Sequence, residues 1–83
     1  MRMIEVTRYD CHDSGVEVAI VICGREYIRD ICVSDGKTMP DRDYWRTHKS
    51  EIIKMALGLV LKHEIDENDI PAIKAIEQMR STL

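Results

Sequence analysis

Cys11, His12 and Asp13 put a thiol, an imidazole and a carboxylate in consecutive positions of an 83-residue chain. Those are the groups of a nucleophile, a base and an orienting acid. Adjacent residues cannot form such a hydrogen-bonded relay, however, because its members come from separated segments of a fold. The other imidazoles, His48 and His63, recur with apolar residues at helical spacing, where a histidine ordinarily packs or caps. Cys11, His12, Cys23 and Cys32 carry the donor atoms of a zinc site. Strand pairing opposes it, since Cys23 falls at one end of a three-stranded sheet and Cys11 and Cys32 at the other, on strands about 10 Å apart. That separation also exceeds the reach of a disulfide. No catalytic residue, metal or cofactor is expected.

The acidic run Glu64, Asp66, Glu67 and Asp69 lacks the glycine and the closing glutamate of a calcium loop and reads as a solvated link. Gly15, Gly24 and Gly36 fall in turns and Gly58 inside a helix, so none belongs to a phosphate-cradling loop. Arg42, Arg46 and Lys49 recur at i, i+4 and i+7, a one-sided basic stripe that could contact phosphates while Tyr44 or Trp45 stacks on a base. Asp41, Asp43 and Glu51 dilute it, so an ordinary solvated helix face is the simpler reading.

Three strands and two helices must position these groups. Val16, Val18, Ile20 and Ile22 alternate with Glu17, Ala19 and Val21, the period of a strand. Strands are expected at residues 3–10, 16–23 and 26–33. Gly24-Arg25 serves as the second hairpin turn, glycine first, and Gly15 takes a left-handed position in the first. In this register Ile4 and Val6 share a face with Val16, Val18, Ile20, Ile22, Ile31 and Val33. Arg8 and Arg29, on the two edge strands, point to that same side, where inward charges discourage further strand addition or read a ligand.

A turn at Ser34-Asp35-Gly36-Lys37 leads to a first helix over about 39–63, starting near Thr38 or Asp41 with Pro40 in its first turn. Trp45, His48, Ile52, Met55, Ala56, Leu59 and His63 form its main stripe, and Ile53, Leu57, Val60 and Leu61 a second. Gly58 marks a close approach to a neighbouring element. After the acidic link, Asp69 caps a helix over about 69–82 with Pro71 in its first turn and a stripe of Ile70, Ile73, Ile76, Met79 and Leu83. The short link makes the helices antiparallel neighbours.

The fold class expected is α+β, a three-stranded antiparallel meander with two helices packed on one face, in a single domain over 1–83. A chain this size buries only about 60–65% of its unfolded surface, enough for one core. Twelve Lys and Arg against fifteen Asp and Glu give a formal net charge of −3, which nominates no partner. No apolar leader or 18-residue apolar run occurs, and three unpaired cysteines suit a reducing compartment, so the expected address is the cytoplasm, away from membranes. The sheet face away from the helices presents Tyr9, Ala19, Val21 and Ile28 among charged residues, the pattern of an interface. The expected function is thus non-enzymatic binding of another protein, or of a second copy as a homodimer. Such a protein would be a regulator, inhibitor or accessory protein of the bacterial or phage kind. Nucleic-acid binding through Arg42, Arg46 and Lys49 is the alternative.

Overall fold

The computed structural model describes residues 3–12, 14–32 and 41–83. Expectations for Asp13, Val33, the turn at Ser34-Asp35-Gly36-Lys37, Thr38 and Pro40 lie outside them. The chain runs β1 (Ile4–His12), β2 (Gly15–Ile22), β3 (Arg25–Cys32), α1 (Arg42–His63), α2 (Ile70–Thr82). The strands form an antiparallel sheet in the order β1-β2-β3, and both helices cover one face, as the hydrophobic patterning requires. The apolar run of β2 takes the centre, where Val16, Val18, Ile20 and Ile22 are buried.

The β2–β3 hairpin turns one residue earlier than the sequence suggests, which shifts the pairing register by two. Ile22 pairs with Arg25, and the turn is Cys23-Gly24, with φ of 51° and 88°. Both central residues are left-handed, a type I′ turn whose twist matches the flanking strands, rather than a turn with Gly24 first. A register shift of two leaves every side chain on its expected face but changes its partner, so Tyr27, Arg29 and Ile31 now oppose Ile20, Val18 and Val16.

The β1–β2 pairing begins as expected, with Ile4 opposite Ile22 and Val6 opposite Ile20, and then shifts between Val6 and Arg8. One extra residue, Thr7, makes this a β-bulge, which reverses the facing of every later residue of the strand. Two expectations are corrected here. Arg8 points away from the helices, where its Nη1 lies 3.2 Å from Asp10 and 3.5 Å from Glu17. Tyr9 turns toward the helices and stacks on Trp45, ring centroids 4.4 Å apart at 14°. Gly15 supplies no left-handed φ; it is a strand residue held to glycine by crowding, because a Cβ there would sit 2.1 Å from the Ile31 carbonyl oxygen.

Asp41 caps α1, its carboxylate accepting from the Tyr44 N–H at 2.8 Å. The helix crosses the sheet from the β1 edge, where Trp45 meets Tyr9, to the β3 edge, where Glu64 pairs with Arg29. Its buried residues are Trp45, Ile52, Ile53, Ala56, Leu57 and Val60, while Met55, Leu59 and His63 of the expected stripe are exposed. The buried arc is thus Ile52, Ile53, Ala56, Leu57 and Val60, rotated from the expected one. Asp69 caps α2, accepting from Ala72 N–H, and Pro71 sits in its first turn. Ala72 and Ile76 are its buried residues; Met79 and Leu83 are half-buried at the β1 edge, and Ile70 is exposed. At Gly58 the nearest atoms are the far end of the Arg80 side chain, at 3.4 Å from an added Cβ, so no backbone approach demands glycine.

Candidate functional site

The bulge that sends Tyr9 inward builds a broad groove along β1. One wall is β1 from Ile4 to Cys11, the opposite wall is Arg42, Trp45, Lys49 and Ile53 of α1, and Met79 and Leu83 of α2 close one end, around about 890 Å3. A second hollow of about 370 Å3 adjoins it, lined by Tyr9, Arg42, Trp45, Arg46 and Lys49: three cations, two aromatic rings and no carboxylate. Helical spacing brings the three cations to one side, and the overhang of α1 at the β1 edge turns that side to the groove. Among the described residues none of the three has a carboxylate within ion-pair distance. The alternation does not reveal the Tyr9–Trp45 stack. Strict alternation along β1 places Tyr9 on the uncovered face, and only the bulge reverses it.

Cys11 Sγ donates to the Asp41 carbonyl oxygen at 3.3 Å, tying the groove end of β1 to the cap of α1. Burial pushes this thiol above its ordinary value of 9.0, helped by the negative charges of Asp41 and Asp10. It is therefore a packed thiol and a poor nucleophile at neutral pH. Cys23, in the hairpin turn, and Cys32, beside Gly15, are exposed. Among the described residues no three His, Cys, Asp or Glu side chains gather as a metal site.

The uncovered face carries less apolar surface than its sequence promised. The pairing puts Asp10, Glu17 and Asp30 in one row, Arg8, Ala19 and Ile28 in another, and Glu5, Val21 and Glu26 in a third. Ala19 lies on this face but is only 1% exposed, flanked by its longer neighbours Arg8 and Ile28. Val21 is half-buried and Ile28 is 41% exposed, so the apolar centre shrinks to these two inside an acidic surround. His12 spans the row of carboxylates. The Ser14 backbone N–H donates to its Nδ1 at 3.3 Å, which leaves Nε2 to donate to Asp30 Oδ1 at 2.7 Å across the bare position of Gly15. Ser14 Oγ, 3.4 Å from the same Nδ1, completes a serine–imidazole–carboxylate chain. The backbone already occupies the imidazole lone pair, so the chain acts as a clasp over the hairpin.

Arg29 keeps its expected side of the sheet but reaches its edge, where the guanidinium pairs with Glu64 and donates to the Ile28 carbonyl at 2.7 Å. Its charge is spent within the fold. No protein-family model, curated protein or solved structure matches the chain. Among the described residues no helix is long and apolar enough to cross a membrane.

Proposed function

We propose that this protein is a non-enzymatic protein-binding module, a regulator, inhibitor or accessory protein, whose contact surface is the groove beside β1. One observation carries the reading: an apolar floor and a rim of three cations meet at β1, the strand that ends the sheet among the described residues. The groove has the size of a recognition site, and the fixed Tyr9–Trp45 stack gives it a preformed wall. The uncovered sheet face supports the reading less, because two moderately exposed aliphatic residues fall far short of the roughly 800 Å2 per partner of a stable interface. The three free cysteines fit a reducing compartment such as the cytoplasm.

The test is affinity capture from nuclease-treated extract with three baits: wild type, Arg42→Glu with Lys49→Glu, and Ile28→Glu. Retention of the same protein by wild type and Ile28→Glu, and its loss with the groove variant, is the expected result. Loss with Ile28→Glu alone would move the contact to the sheet face.

Nucleic-acid binding remains the second reading, favoured by the hollow that Tyr9, Trp45, Arg42, Arg46 and Lys49 line. It ranks lower because the two rings face each other, Trp45 is only 9% exposed, and bases need a free ring face. The net charge of −3 opposes it as well. Three phosphate contacts to a single strand would give log K a slope of about −2 against log salt, measurable by titrating oligothymidylate.

A further inference from the structure

We infer that the groove accepts an extended peptide segment of the partner, which adds as a fourth strand to β1 and sets acidic side chains against Arg42, Arg46 and Lys49. The inference rests on the protein-binding reading and names its occupant. Among the described residues β1 ends the sheet, so alternate backbone N–H and C=O groups along it have no strand partner there on their outer side. An inward arginine at position 8 would have obstructed an incoming strand on the helix side. The bulge instead sends Arg8 to the opposite face, and the inward positions of the strand are Ile4, Val6, Tyr9 and Cys11.

Beyond the bulge, residues 8–12 pair regularly with β2 and offer an uninterrupted stretch of edge about 16 Å long. Above it lie Arg42 and Lys49, and toward the α2 end lie Ile53, Met79 and Leu83. A strand presents alternate side chains to one face, so those turned toward the helices meet cations at one end of the groove and aliphatic groups at the other. Backbone pairing would supply affinity, and this change from charged to apolar would set the preferred sequence. The complementary segment alternates, with acidic then aliphatic residues on its helix-facing side. A nucleic-acid strand matches the cations but not the aliphatic end or the unpaired backbone.

The experiment is selection from a displayed library of random linear peptides on wild-type protein, followed by hydrogen exchange of the protein with the best synthetic peptide. Enriched peptides should place acidic and aliphatic residues at alternate positions, bind Arg42→Glu/Lys49→Glu at least about tenfold more weakly, and slow exchange of amides in residues 8–12. These cations are exposed and have no carboxylate partner among the described residues, so circular dichroism of the variant should match wild type. Peptides that bind without protecting β1 would overturn strand addition. A captured protein that depends on Arg42 and Lys49 while no linear peptide is enriched would overturn the inference yet leave the protein-binding reading standing. Oligothymidylate competing for the groove, or concentration-dependent β1 protection without peptide, would overturn it in favour of nucleic acid or a second copy.

Discussion

Three residues carry consequences that their types alone do not reveal. Gly15 and Gly58 look alike in sequence, yet only Gly15 is required. Gly15→Ala forces the Ile31 backbone to move and should cost about 2 kcal/mol or more. Gly58→Ala meets only the movable end of Arg80 inside a helix and should stabilise by about 1 kcal/mol; urea denaturation of both variants checks the opposite signs. Cys11 makes a pH prediction. Its folded-state value lies above the ordinary 9.0, so its contribution to stability is complete below the unfolded value and is lost as pH rises through the folded one. Denaturation midpoints of wild type should therefore fall above about pH 9, and those of Cys11→Ala should fall less. At neutral pH, mass spectrometry after limited alkylation should find Cys23 and Cys32 modified before Cys11.

Element boundaries and faces were readable to different depths. The two helices, the Asp69 cap and the first half of β1 follow from periodicity and capping chemistry, which are local, while the start of α1, open between Thr38 and Asp41 in the sequence, falls at the Asp41 cap. The second half of β1 does not, because a bulge is one unpaired residue whose place depends on the partner strand. The hairpin turn illustrates a milder failure: Gly24 is in the turn, but Cys23 rather than Arg25 shares it, at a left-handed φ that L residues other than Asn and Asp adopt at a cost. Cys23→Asn should raise the denaturation midpoint, by up to about 1 kcal/mol, without altering the register. A loss of stability would contradict the type I′ assignment.

Among the described residues, charge is segregated: carboxylates dominate the uncovered sheet face, and three cations gather at the β1 edge. Arg42→Gln with Lys49→Gln should shift Tm by less than about 4 °C, because neither side chain has a carboxylate partner among the described residues. Trp45→Ala, which empties one side of the stack and the core beneath it, should cost about 3–5 kcal/mol. Thermal scans of the two variants separate residues held for binding from residues held for folding. The amino-acid sequence by itself determined the order of strands and helices, the central place of β2 and the basic spacing on α1, because alternation, caps and helical period act between near neighbours. Only the tertiary structure decided that Tyr9 faces inward, that Arg8 does not, and that the cations overlook the β1 edge. Those outcomes depend on one extra residue in a pairing and on where a helix crosses a sheet, which are relations between segments far apart in the chain.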